Sequence, residues 1–236
     1  MQKQSREKEN TEMKITLKDG SVREYDHPMA VIDIAKDLSE GLARAACLGE
    51  VDGEGVDLRT VLDHDCSLNI LTAKDPAGLA ALRHTASHVM AQAVKRLYPE
   101  TKLAIGPSIA DGFYYDVDPA SPLTAEDLEK IEAEMKKIIK ENLPLERFEL
   151  PAAEAKALME GQPYKEELID EHAGQGENIS FYRQGDFTDL CAGPHLMTTG
   201  CVKAVKLTAI TGAYWRGDAK NKMLTRVYGV SFPKQS

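Results

Sequence analysis

The sequence predicts an α+β chain in two parts: a small mixed sheet wrapped on one helix, then a larger domain of helices and strands. Three observations lead there. Apolar and polar residues alternate on both sides of Asp19-Gly20, an apolar stripe at helical spacing follows, and short strand-like pieces punctuated by glycine and aspartate complete the first part. Beyond residue 74 longer helical segments take over, interleaved with strands. The 236 residues suffice for one large domain or two small ones, and 42% hydrophobic residues can bury a sizeable core.

Residues 1–13 are almost all polar or charged and are expected to form a flexible tail. MKITLKDGSVREY reads as a β-hairpin whose Asp19-Gly20 supplies the positive φ angles of a tight turn. In MAVIDIAKDLSEGLARA, Val31, Ile34, Ala35, Leu38 and Leu42 recur at helical spacing and predict one helix. CLGEVDGEGVDL, TVLD and SLNILTA then read as strands. They close a first domain over 14–73 that carries no paired acids, phosphate-cradling loop or nucleophile. Lys74-Asp75-Pro76 marks the junction, because proline disfavours helix in the residue before it and suits a first helical turn. The second domain is expected over 74–236, opening with a helix over 76–98. On that helix Leu82, Ala86, Val89 and Ala93 share one side, with His84 and His88 roughly opposite. GFYYDVD reads as a strand and TAEDLEKIEAEMKKIIKEN as a helix with Thr124 and Asp127 in capping-box positions. RFEL, two short helices in PAAEAKALMEG and YKEELIDEH, the strand ISFYRQG and a terminal hairpin follow.

Lys plus Arg is 29 against 38 Asp plus Glu, and the net charge of -9 excludes a binder driven by attraction to bulk nucleic acid or anionic membrane. A local exception is the last stretch, where Lys203, Lys206, Arg216, Lys220, Lys222 and Arg226 meet only Asp218. With Tyr214 and Trp215 among them, this stretch offers phosphate contact and stacking on an unpaired base, with Arg216, Lys220 and Lys222 as the candidate RNA-binding residues. No apolar run approaches the roughly 20 residues that span a bilayer, so no membrane partner is expected. The polar start does not read as an export signal. Four unevenly spaced cysteines, Cys47, Cys66, Cys191 and Cys201, point to a reducing, cytoplasmic setting.

Two short motifs carry chemistry. His84 and His88 stand at i and i+4, which presents two imidazoles to one point. The residues between them are Thr85, Ala86 and Ser87, so the glutamate base of a zinc protease is missing. In DFTDLCAGPHL, Gly193-Pro194 separates Cys191 from His195 in a turn, so both side chains can aim at one place. Together the four groups match zinc in number and softness and predict one shared site, the alternative being scattered core and surface residues.

The residues before 74 resemble the ubiquitin-like β-grasp module called the TGS domain. HTASH, AIGPSIADGFYYDVD, DFTDLCAGPH and TGAYWRGDAKNKMLTRVYGVSF, in this order behind such a module, resemble the N-terminal half of bacterial threonyl-tRNA synthetases. That resemblance implies a second domain of the threonyl/alanyl-tRNA synthetase editing type, which hydrolyses the ester of mischarged seryl-tRNA. It also implies that the aminoacylation core is absent, so this chain is not expected to charge tRNA. Implied partners are the 3′ aminoacyl end of tRNA and the rest of the synthetase. Carried over residue by residue, it implies that His84 or His88 activates water while Cys191 and His195 shape the pocket. Lys165 would stabilise an oxyanion or hold the terminal adenosine, Asp189 would bind the substrate ammonium, and Tyr115 would form a wall. The preferred mechanism requires no cofactor. Zn2+ held by His84, His88, Cys191 and His195 belongs to the alternative, an alanyl-type zinc hydrolase. A non-catalytic tRNA-binding module and a hydrolase with Cys191 as nucleophile are the remaining alternatives.

Overall fold

The computed structural model describes residues 12–174, 176 and 178–233. Most of the expected polar tail, residues 1–11, lies outside them. Met13, which the tail reading included, opens the first strand with a buried side chain.

The first domain runs β1 (Met13–Leu17), β2 (Val22–Tyr25), β3 (Met29–Ala30), α1 (Val31–Leu38), α2 (Glu40–Ala45), β4 (Ala46–Val51), β5 (Glu54–Val56), β6 (Val61–Leu62) and β7 (Cys66–Thr72). Its main sheet has the order β2-β1-β7-β4-β5, with β1 and β7 parallel and the other pairs antiparallel. This is a β-grasp sheet, and α1 packs Val31, Ile32 and Ile34 against Ile15, Leu58 and Leu68. Two local expectations are corrected. Only Gly20 in the hairpin turn has positive φ, at 84°, while Asp19 accepts hydrogen bonds from the Ser21 N–H and hydroxyl. The single helix is broken at Ser39, which is extended and caps a second helix through its hydroxyl, accepting from the N–H groups of Gly41 and Leu42.

The second domain continues with α3 (Pro76–Leu97), β8 (Lys102–Leu103), β9 (Ser108–Ile109), β10 (Gly112–Asp118), α4 (Ala125–Glu141), β11 (Leu145–Leu150), α5 (Ala152–Leu158), α6 (Pro163–Ala173), β12 (Ile179–Gln184), β13 (Phe187–Leu190), β14 (Ala204–Tyr214) and β15 (Met223–Phe232). One antiparallel sheet has the order β14-β15-β10-β8, with β9 also on β10, and a second has the order β11-β12-β13. The Thr124/Asp127 capping box is formed at the start of α4. Helix α3 is not two-sided: thirteen of its residues are buried, so it runs through the middle of the domain. Its alanines, serine and glycine let neighbours approach on every side.

No linker separates the domains. Thr72 donates its N–H to the Asp75 carboxylate (2.8 Å), and a side chain at Gly78 would strike the Thr72 carbonyl. Cys47, Leu48 and Leu71 of the first domain join the core that α3 organises. No described helix is long and apolar enough to cross a membrane.

Candidate active site

Helix α3 supplies His84 and His88 one turn apart. The segment after β13 returns Cys191 and His195 to the same place, so that the four donor atoms all lie within 4.8 Å of one another. The His84 and His195 rings stack with centroids 4.2 Å apart, and His88 meets His195 edge-on at 4.3 Å. His88 and His195 are buried, and His84 is half-buried.

The tautomer of His195 follows from Thr85. That hydroxyl gives its only proton to the Ala81 carbonyl one turn back (2.9 Å), so towards Leu196 N–H (3.0 Å) and His195 Nδ1 (3.0 Å) it can only accept. His195 therefore carries its proton on Nδ1 and turns a bare Nε2 to the Cys191 sulfur, 3.2 Å away. The sulfur in turn accepts from Gly193 N–H (3.2 Å) and lies 3.4 Å from His84 Nε2.

A second cluster stands beside the first. Lys165, on α6, is buried with its Nζ 2.7 Å from Asp189 Oδ1 and donates to the Tyr115 hydroxyl at 3.0 Å. Tyr115, on β10, donates that hydroxyl to Asp189 Oδ2 (2.6 Å), and His88 Nδ1 lies 3.4 Å from the same oxygen. Asp189 is thus a buried strand residue rather than part of a turn, and Lys165 is an ion-pair partner rather than a solvated helix lysine. Both oxygens of Asp189 already meet groups of the chain, which leaves an incoming ammonium to compete with Lys165.

Burial governs the protonation states. It pushes His88 down to about 3, and it lowers His84 and, more strongly, His195, so all three imidazoles are neutral near pH 7. Burial pushes the Cys191 thiol up to about 12. Burial also opposes the charge of Asp189, yet the Lys165 ammonium and the hydrogen bonds from Lys165 and the Tyr115 hydroxyl outweigh it and hold the carboxyl below its ordinary range.

His84, His88, Tyr115, Lys165, Asp189 and Cys191 face one cavity of about 230 Å3. A larger cavity of about 510 Å3 lies against Lys165 and Asp189 and reaches Lys95 and Arg96. Gly193 is required by the geometry: its φ is +79°, and a Cβ there would come within 2.2 Å of the Tyr182 hydroxyl. Gly193→Ala is expected to lower stability by about 2 kcal/mol from left-handed strain and overpacking, read as a lower urea midpoint. An unchanged midpoint would show that the loop has another conformation open to it.

The candidate RNA contacts are not members of this cluster, but Arg216 and Trp215 hold α6, the helix that carries Lys165, through Glu167. Arg216 pairs with Glu167 and Glu171, and Lys222 with Asp118 (2.7 Å), while Lys220 is exposed between β14 and β15. Trp215 corrects the stacking expectation: it is buried against Tyr164 and donates Nε1–H to Glu167 (3.0 Å). Sequence reasoning missed Thr85, Tyr182, Asp57 and Arg59 as neighbours of the site. Only Thr85, a hydroxyl inside the histidine pair, gave any signal.

Two domain families match the chain, one in each of its parts. Residues 13–72 match the TGS domain, and residues 179–228 match the threonyl and alanyl tRNA synthetase second additional domain. Along 95% of its length the chain is similar to the N-terminal region of bacterial threonine–tRNA ligases. It is 61% identical over 226 residues to the threonine–tRNA ligase of Acetivibrio thermocellus, covering 95% of this chain and 35% of that protein. It is 59% identical over 224 residues to that of Clostridium botulinum strain Eklund 17B, covering 95% and 35%. For Clostridioides difficile strain 630 the identity is 58% over 224 residues, covering 94% and 35%. The chain therefore spans about a third of the length of these relatives, 35%.

Proposed function

We propose that this chain is a cytoplasmic editing module that hydrolyses the ester of seryl-tRNA mischarged on a threonine tRNA. The observation that carries this reading is that two neutral imidazoles, His84 and His88, and the Cys191 thiol line one small cavity together with Lys165, Asp189 and Tyr115, while a third imidazole, His195, stacks on His84 outside that lining. The need is chemical. Serine lacks one methyl of threonine, and a synthetic site rejects the smaller analogue by only about 1–3 kcal/mol, so a second sieve is required.

A neutral imidazole can take a proton from water. His84 is the half-buried member of the trio and faces the cavity, so it orients and deprotonates the attacking water. His88 backs it, held near Asp189. The ammonium of Lys165 at the cavity wall stabilises the oxyanion as the ester carbonyl is attacked. Cys191 as nucleophile is disfavoured, because burial keeps the thiol protonated and its hydrogen faces a neutral His195 rather than a charged one. The tRNA 3′ end and the remainder of a synthetase are the partners of this reading. Lys220 and the exposed Tyr214 remain available for the RNA.

One feature favours a metal reading as well. The four donors are close enough to share one ion, His195 Nε2 is bare, and buried His88 Nδ1 has no hydrogen-bond partner among the described residues. Zinc held by His84, His88, Cys191 and His195 would supply Lewis-acid polarisation of the ester carbonyl.

The test follows release of labelled serine and threonine from their charged threonine tRNAs, with wild-type protein, His84→Ala and a chelator arm. Serine alone is expected to be released, about 10²–10⁴-fold more slowly by His84→Ala and unchanged by chelator. One equivalent of zinc together with loss of activity on chelation would move the chemistry to the metal reading. Binding of tRNA without hydrolysis would leave a non-catalytic module.

A further inference from the structure

The first domain reaches the pocket through one loop. Between β5 and β6, Asp57 and Arg59 turn away from their own domain while Leu58 between them is buried in its core. The loop is fixed from behind, where Val31 and Ile32 at the start of α1 donate their N–H groups to the Thr60 and Leu58 carbonyls (2.9 Å each).

Every polar atom of this pair is used. Asp57 Oδ1 accepts from the N–H (2.8 Å) and Nη1 (2.9 Å) of Arg59, and Oδ2 accepts from the Tyr182 hydroxyl (2.6 Å) and the His195 N–H (3.1 Å). Arg59 donates from Nε (2.9 Å) and Nη2 (2.6 Å) to the Leu145 carbonyl. It donates from Nη1 to the His195 carbonyl (3.1 Å) and from Nη2 to the Leu196 carbonyl (2.9 Å). Both main-chain groups of His195 are therefore held by the first domain. So is Tyr182, whose ring stands edge-on to the imidazole at a centroid distance of 4.5 Å. The two side chains retain only 11% and 16% of their exposure.

We infer that Asp57 and Arg59 are positioning residues of the pocket. The first domain fixes the His195 imidazole from behind, and through its Nε2 contact it fixes the Cys191 thiol. The kinetic consequence rests on the deacylase reading above, whereas the placement of the thiol does not. Neither substitution of the pair is conservative in this setting. Asparagine must turn an N–H2 group towards donors on one side or the other, and lysine cannot reproduce a fork with five donors.

The experiment compares the intact 236-residue chain as wild type, Asp57→Asn, Arg59→Lys and the surface control Lys36→Ala, each first checked for a cooperative melt. The first readout is the rate of iodoacetamide labelling at Cys191 by peptide mass spectrometry, with Cys66 as internal reference. The expected result is about tenfold or more acceleration at Cys191 in both loop variants, with Cys66 and the control unchanged. The second readout is single-turnover release of serine from seryl-tRNA. Its saturating rate is expected to fall about 10–100-fold while the half-saturating concentration holds, as for outer residues that orient a reacting group. A merely cohesive contact between domains would move neither quantity in folded protein, and wild-type labelling with a wild-type saturating rate overturns the inference. If wild type itself releases no serine, the deacylase reading falls and the labelling result alone decides the positioning role. Should Asp57→Asn fail to fold, Tyr182→Phe, which removes only the bond to Asp57, is read by the same two criteria.

Discussion

Replacing Lys165 by alanine is expected to cost about 3–5 kcal/mol of folding stability, because it strands a buried carboxylate without its cation. Lys165 and Asp189 keep 3% and 2% of their exposure, and their charged atoms meet at 2.7 Å. Without the ammonium, Asp189 retains the Tyr115 hydroxyl at 2.6 Å and a neutral His88 at 3.4 Å, which do not balance a full charge in a dry site. Urea unfolding measures the loss directly. Adding Asp189→Asn to Lys165→Met should recover much of it, since a pair of neutral side chains leaves no isolated charge. A loss below about 1 kcal/mol in Lys165→Ala would mean that water screens the pair as it does a surface bridge.

Acid is expected to destabilise the fold well before the carboxylates titrate. Burial holds His88 at about 3 in the folded chain against an ordinary value of 6.5. Between those values the unfolded chain binds a proton that the folded chain refuses, so stability is complete above pH 6.5 and falls as the pH drops towards 3. At pH 4 this single group costs roughly 3 kcal/mol, and His84 and His195 act in the same direction. Asp189 and Asp57, whose carboxyls are held low despite burial, by Lys165 with the Tyr115 hydroxyl and by Arg59 respectively, add their own loss only below the ordinary carboxylate value of 3.8. The melting temperature should therefore drop steadily from pH 6.5 to 4, and His88→Gln should flatten that slope. A wild-type melting temperature that stays level across this interval would contradict burial of the neutral imidazoles.

The sequence made the pocket half legible. His84 with His88, and Cys191 with His195, are readable because each pair is fixed by local geometry: one turn of helix, one proline-containing turn. Their meeting depends on β12 and β13 carrying the second pair back to α3, which no local pattern encodes. Lys165, Asp189 and Tyr115 became candidates through resemblance alone, since a lysine beside Glu166 and Glu167 reads as solvated and an aspartate before Leu190 reads as a turn. The aspartate is buried because its partners arrive from α6 and β10. Asp57-Leu58-Arg59 was invisible for a related reason: acid and base around a leucine in a glycine-rich stretch resemble any surface loop. Helical periodicity misplaced His88 on an outer face because α3 is surrounded on every side. Among the described fold elements, the break at Ser39, the short strands β3, β8, β9 and β13 and two 3-10 turns at Thr199–Val202 and Trp215–Gly217 escaped the pattern reading.

The sheet order also sets a timetable for synthesis. Strand β10 carries Tyr115 and finds its long partner only in β15, the last strand of the described chain. About a hundred residues must emerge between the two, on the order of 5–20 s at common elongation rates. During that interval Phe113, Tyr115 and Val117 have α3 to lie against but an open edge beside them. The β-grasp domain, complete once β7 has emerged, can fold long before. The candidate cavity is therefore completed only after β15 has emerged, on a first domain already in place to receive the His195 loop.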